Sequence, residues 1–182
     1  ITNIHDAWQD PITIDTLKKI DSKGELPIRC YGMIGSSNKK LLNQFLKNGM
    51  HMSEKYIIRS VKAYIDGALG SRGAALLEPY CDDLNNCGLI LIGTEKFIKL
   101  AKQCENAGFQ LCTHAIGDRG NKMVLDVYSK AISTSKNHRW RIEHAQMVSN
   151  EDIPRFFKHG IIPSMQPSHC TSDMRWMDDR IG

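Results

Sequence analysis

Apolar residues along this chain follow two alternating patterns: short runs where they crowd together with β-branched and aromatic neighbours, and longer stretches where they return every three or four positions. The first run, ITNIHDA (1–7), predicts a strand. Asp10-Pro11 then opens a helix with Ile14, Leu17 and Ile20 on one face, and Gly24 stops it. LPIRCYGMI (26–34) predicts a second strand. Asn38 stands as N-cap of a helix carrying Leu41, Leu42, Phe45 and Leu46, with Gly49 at its C-terminal end. SVKAYID (60–66) predicts a third strand. Residues 67–93, rich in Gly, Asn and Asp, are too long for a simple connection and predict a functional loop.

The alternation then resumes. Thr94 can cap a helix that faces Phe97, Ile98, Ala101 and Cys104 inward and ends at Gly108, and FQLCTHAI (109–116) predicts a buried strand. A helix from about Arg119 presents Val124, Val127, Tyr128 and Ala131, and WRIEHAQ (140–146) follows as a strand. Ser149 with Asp152 three residues on resembles a capping box for a helix that Gly160 closes, and IIPSMQP (161–167) is the last strand. Six strands separated by helices predict βα units around a parallel sheet, either doubly wound or part of a (β/α) barrel, in one domain over 1–182. The glycines of GALGSRGA have the wrong spacing for a nucleotide-binding loop.

Composition narrows the class without adding chemistry. The 182 residues are 41% hydrophobic and 24% charged, with 24 Lys+Arg against 20 Asp+Glu. That balance suits a globular protein, and the net charge of +4 is too dispersed for a nucleic-acid partner. No apolar run reaches the roughly 18 residues of a membrane span, and the N-terminus has no signal-like pattern, so the expectation is a cytoplasmic protein without a membrane partner. Six scattered cysteines without a CxxC read as reduced thiols. The chain begins at Ile1 and ends at Ile181-Gly182, which reads as an excerpt.

In parallel α/β folds the reactive side chains gather at the C-terminal ends of strands. That rule selects His5, Lys62, His114 and His144. Histidines placed alike on consecutive parallel strands share a space about one strand spacing, roughly 5 Å, apart, which is a chelating arrangement, although a lone strand histidine is more often a hydrogen-bonded core residue. Lys62, flanked by Val61, Ala63 and Ile65, must be desolvated or matched by an anion, and Asp66 is a local partner it could take. Arg72 in the long loop is either a contact for the polar end of a substrate or a brace for the loop, and Gln166 at the end of the last strand could line a pocket. Asp118 reads as a helix cap, Glu143 alternates to the face opposite His144, and His169 has no assigned role.

Three segments, VKAYIDGALGSRGAALLEPYCDD, THAIGDRGNKMVLDVY and RWRIEHAQMVSNEDIPRFFKHGIIPSMQPSH, occur in an order and spacing that closely resembles the metal-dependent amidohydrolase superfamily. The likeness is to its YtcJ-like branch, amidohydrolase family 3, which includes N-substituted formamide deformylases. It spans Ile1 to Trp176. The resemblance implies a TIM (β/α)8 barrel with one or two divalent metals, usually zinc, at its C-terminal face. It implies a carboxylated strand-four lysine as bridging ligand, a role that falls on Lys62. His114 and His144 would be the metal ligands of strands five and six. The metal would polarise a scissile amide-type carbonyl and activate water.

The chain departs from that pattern at both ends. It has no HxH pair ahead of its second strand, and Asp173 lies just past the IIPSMQP strand, so it is a poor match to the strand-eight general base. The expectation is therefore a partial barrel, strands two to seven, without strands one and eight or the β-sandwich, and with no catalytic residue of its own. Such a piece should be inactive alone, and its two open edges invite a homodimer. The rivals are a non-catalytic relative and a binding module on a (β/α) scaffold.

Overall fold

The computed structural model describes residues 1–132 and 137–182. They form two compact units, Ile1–Ala63 with Gln103–Cys112, and Tyr64–Lys102 with Thr113–Gly182. Strands β4 (Tyr56–Tyr64) and β5 (Gln110–Ala115) and helix α3 (Thr94–Asn106) each give residues to both.

In the first unit β1 (Asn3–Gln9) pairs in parallel with β2 (Arg29–Gly35), and β2 pairs in parallel with β4, in a register that sets Cys30 opposite Tyr56 and Gly35 opposite Lys62. A short β3 (His51–Met52) runs antiparallel to β4. Helix α1 (Pro11–Ser22) starts where expected, because Asp10 accepts from Thr13 N–H at 2.7 Å and Pro11 has no N–H to satisfy. Helix α2 (Lys39–Asn48) has Asn38 accepting from Leu41 N–H at 3.1 Å. Ile14, Ile34, Leu42, Tyr56, Ile58 and Val61 make the buried core. One polar network is buried with them: the Tyr56 hydroxyl donates to Gln9 Oε1 at 2.6 Å, and Gln9 Nε2 donates to Asp6 at 2.8 Å. Gln9 occupies the space a β-carbon on residue 32 would need, which is why β2 carries Gly32 there. Burial is the main cause that pushes the Tyr56 phenol well above its ordinary range.

The second unit contains the C-terminal part of β5, helix α4 (Asp118–Ala131), β6 (Arg141–His144), α5 (Ile153–His159) and β7 (Ile162–Ser164). Two short helical turns follow, α6 (His169–Ser172) and α7 (Met177–Ile181). Strands β6 and β7 are parallel, with Arg141 opposite Ile162 and Glu143 opposite Ser164. Main-chain bonds continue the pairing past the strand ends: Ile65 N–H reaches His114 O at 2.9 Å, and Ala145 N–H reaches Ala115 O at 3.1 Å. The layer behind them is anchored by Tyr128 of α4, whose hydroxyl lies 2.7 Å from that of Thr113 and whose ring meets Trp140 edge-on at 4.7 Å.

Residues 67–93 form the expected loop, and it has a core of its own. Leu69, Ala74, Leu76 and Tyr80 cluster with Ile116, covered by Met147, Trp176, Met177 and Ile181. The chain crosses itself at its root, where Gly67 N–H bonds Gly73 O and Gly73 N–H bonds Ala68 O, both at 2.9 Å.

Three local expectations shift. The strand expected at 60–66 runs from Tyr56 to Tyr64, since Tyr56 and Ile58 point into the core and extend the pairing with β2 backwards. The first-turn bond of α3 goes from Phe97 N–H to Gly93 O at 3.0 Å, so the cap position falls one residue before Thr94. Ser149 does not close a capping box on Asp152: its hydroxyl donates to the Asp152 carboxylate at 2.9 Å, and Asp152 also holds Arg155 at 2.7 Å.

Candidate metal centre

Two histidines end consecutive strands of the second unit, His114 on β5 and His144 on β6. Their ring centroids are 4.6 Å apart, edge to face. The parallel pairing that brings Ala145 N–H to Ala115 O sets this separation, as strand spacing requires.

Each ring has an acceptor beside one of its two nitrogens. His114 Nε2 lies 3.3 Å from Gly67 O and 3.4 Å from Asp66 Oδ1. A ring that donates through Nε2 carries its lone pair on Nδ1. His144 Nδ1 faces Gln166 Oε1, which assigns the opposite tautomer, with the lone pair on Nε2. His169 of α6 stacks on His144 at 5.7 Å, and Tyr64 lies 4.9 Å from the His114 ring. Two oriented imidazoles backed by a carboxylate and an amide fit a divalent metal that accepts nitrogen donors.

Asp66 is the anchor of this arrangement. It is fully buried and accepts from the main-chain N–H groups of Ala75 at 3.0 Å, Ile116 at 3.0 Å and Gly117 at 2.8 Å, in addition to facing His114. Burial pushes its carboxyl above the ordinary aspartate value, and the three amides pull it back. Position 120 must be glycine, since a β-carbon there would come within 2.6 Å of Asp66 Oδ2.

The end of β6 is bent into place. His144 has φ +73° and Ala145 φ +43°, the left-handed region that side chains with a β-carbon rarely enter. Buried Asn121 holds the bend: its Nδ2 donates to Met147 O at 3.0 Å and Gly117 O at 2.9 Å, and it reaches Ala115 O at 3.2 Å. Past β7, Gln146 Nε2 donates to Asp173 at 2.7 Å.

Sequence reasoning found His114, His144 and Gln166, and the structure brings these three together. It missed Asn121 and the stacking of His169, and it weighed Asp66 only as a partner for Lys62. Lys62 is buried near the end of β4, in the first unit, and its Nζ is 3.3 Å from Ala63 O. Arg72 spends its guanidinium on Asp82, through Nε at 2.9 Å and Nη2 at 2.8 Å, and Arg180 joins the same carboxylate. Asp118 does not cap its helix in the usual way; it accepts from Leu77 N–H and Arg119 N–H, both at 2.8 Å, and so ties the long loop to α4. His5 packs against Tyr31 in the first unit, with ring centroids 4.9 Å apart and the rings tilted by 35°. Among the described residues no three His, Cys, Asp or Glu side chains form a metal-holding group.

Parallel strands whose histidines meet at their C-terminal ends belong to a partial TIM-barrel-like α/β fold, and known structures share that fold. An uncharacterized metal-dependent hydrolase from Pyrococcus horikoshii OT3 superposes with a TM-score of 0.88 at 26% identity, over 100% of this chain and 36% of that one. One from Pyrococcus furiosus superposes at 0.85 and 24% identity, over 99% and 36%. The profile of the amidohydrolase family matches residues 1–182, and the chain belongs to that family. Among its relatives, the Arabidopsis thaliana protein LONG AFTER FAR-RED 3 is 35% identical over 97% of this chain, and the Bacillus subtilis (strain 168) protein YtcJ, which carries the amidohydrolase name, is 31% identical over 94%. The chain spans 30% and 32% of their lengths.

Proposed function

We propose that this chain supplies one side of a metal centre in a hydrolase that cleaves non-peptide C–N bonds of the amide or formamide type. The observation that carries the reading is the His114–His144 pair, 4.6 Å apart with each ring turned by its own acceptor. His114 through Nδ1, His144 through Nε2 and Lys62, as a carboxylated amine, are the proposed ligands, and zinc suits imidazole with an anionic oxygen. When bound, the metal supplies Lewis acidity toward a carbonyl and an activated water. The chain's own residues orient and exclude: Asp66 and Gln166 fix the ring tautomers, Asn121 holds the strand end, and Tyr64 and His169 wall the pair. Gln166 is the proposed substrate-side polar contact. Arg72 can meet a substrate only by giving up Asp82.

No described residue has been placed as a general base, so this stretch alone should not turn over. All six cysteines are free thiols, which suits a reducing compartment, and we place the protein in the cytoplasm. No described helix is long and apolar enough to cross a membrane. We further propose that copies associate through strand edges. Strands β1 and β7 each end the strand order, and Ile4 and Ile162 on them are each 40% exposed. A single monomeric mass by light scattering at every concentration overturns that part.

The metal reading is tested by elemental analysis of the purified chain before and after incubation with zinc and ¹³C-bicarbonate. About one zinc per chain, absent from the His114→Ala/His144→Ala double variant, is expected. A carbamate resonance lost in Lys62→Met is expected with it. Zinc no higher than in the double variant would favour a binding module on this scaffold, in which the same substitutions change stability only.

A further inference from the structure

A groove in the same unit shares no lining residue with the histidine pair. Helices α3 and α4 enclose a groove of about 540 Å³. That volume is within the roughly 300 to 1,000 Å³ usual for small-molecule sites. Its floor is apolar, made by Ile98 from α3 and by Met123, Val127 and Ala131 from α4. Lys102, Arg119, Lys122 and Lys130 rim it. The only acid among the lining residues, Asp126, is held by Arg155 at 2.6 Å, so the rim is left strongly positive.

Arg119 adds an independent observation. Its Nη2 is fixed on Cys87 O at 2.9 Å, while its Nε–H is buried with no acceptor among the described residues. A buried donor of that kind is costly unless something accepts from it. Arg119 stands at the N-terminal end of α4, and Val127 is eight residues further on, about 12 Å along the helix axis. The groove thus offers an apolar floor between cations, with Arg119 and Lys122 at the N-terminal end of α4.

We propose that this groove binds a small amphiphilic carboxylate, with its head between Arg119 and Lys122 and its apolar arm along Ile98, Met123 and Val127. A carboxylate fits the head position because its two oxygens can be shared between the Arg119 guanidinium and the Lys122 ammonium group. The arm covers a floor that would otherwise face water. A protein partner would need an acidic amphipathic helix for the same charge pattern, and the experiment separates the two.

The probe is decanoate, with decanol and acetate as the neutral and tail-less controls, titrated into the purified chain carrying ¹³C-methyl methionine. The resonance of Met123 is identified by its loss in Met123→Leu. A saturable shift of Met123 with decanoate, and none with acetate or decanol, is expected. Affinity should fall at least about tenfold in Arg119→Gln and in Lys122→Glu. Lys122 is exposed, so Lys122→Glu keeps the test valid if Arg119→Gln disturbs the loop at Cys87. Equal affinity in Lys122→Glu, equal binding of decanol, or no saturation below the micelle concentration overturns the proposal. So does a Met123 shift caused by an acidic helical peptide but not by decanoate.

Discussion

Two aspartates fasten the same loop, one at each end of its first half, and they do so by opposite physics. Asp66 sits at the root, fully buried, and its partners are main-chain N–H groups that cannot move away. Asp82 sits at the rim with a quarter of its side chain exposed, and its partners are the flexible side chains of Arg72 and Arg180. Burial raises the Asp66 carboxyl, whereas the Arg72 guanidinium lowers that of Asp82. A buried acceptor serving three amides is expensive to remove because each amide is then left dry, while an exposed ion pair exchanges readily with water and salt. The root should therefore decide both the stability of the second unit and the shape of the histidine site, and the rim should decide little.

The largest expected effect follows from emptying the root. Asp66→Ala orphans the N–H groups of Ala75, Ile116 and Gly117, removes the acceptor behind His114 and leaves a void beside Gly120. We expect a loss of about 3 to 5 kcal/mol in urea unfolding, with zinc uptake lost as well. Asp66→Asn keeps the volume but turns an NH2 toward amide donors, so it should recover only part of that loss. If Asp66→Ala unfolds within experimental error of the parent chain, the root does not hold the unit.

Next in size is Asn121→Ala. It removes the donor to Met147 O, in the turn that follows His144 at φ +73°, and to Gly117 O and Ala115 O, where β5 leads into α4. A loss of about 1 to 3 kcal/mol is expected. Relaxation of the bend should also move His144 away from His114, so zinc affinity should fall more than stability does. Unchanged zinc affinity with reduced stability would show that the bend is not what positions the ring.

These two residues also mark where the sequence stopped being readable. Caps such as Asp10 and Asn38 are local, each bonded to an amide three residues on, so their residue type and the apolar period behind them disclose the helix. The histidines were legible for a similar reason, since a parallel strand end is a place that strand periodicity can find. Asn121 bonds Met147, 26 residues later, and Asp66 bonds amides 50 and 51 residues later, and no periodicity encodes such pairs. Gln166 and His169 reach His144 because the chain turns back after β7. Gln166 was noticed for its place at a strand end, while His169 lies in a turn that carries no pattern. Arg72 shows the converse: its type suggested a ligand contact or a brace, and the fork is on Asp82.

The smallest effect belongs to the rim, and its dependence on pH separates it from the root. The Asp82 carboxyl is held below its ordinary value of 3.8, chiefly by the Arg72 side chain. A carboxyl lowered on folding stabilises the fold above the unfolded value and loses that contribution as pH falls through the folded one. Asp82→Asn should therefore lie slightly below the parent chain in melting temperature at neutral pH and low salt. The difference should shrink with added salt, because the pair is exposed, and vanish in acid below the ordinary aspartate range. Arg72→Ala should behave alike, with Arg180 still holding Asp82. A neutral-pH loss from Asp82→Asn as large as that from Asp66→Ala, or one that persists in acid, would mean that the rim is as rigid a fastening as the root.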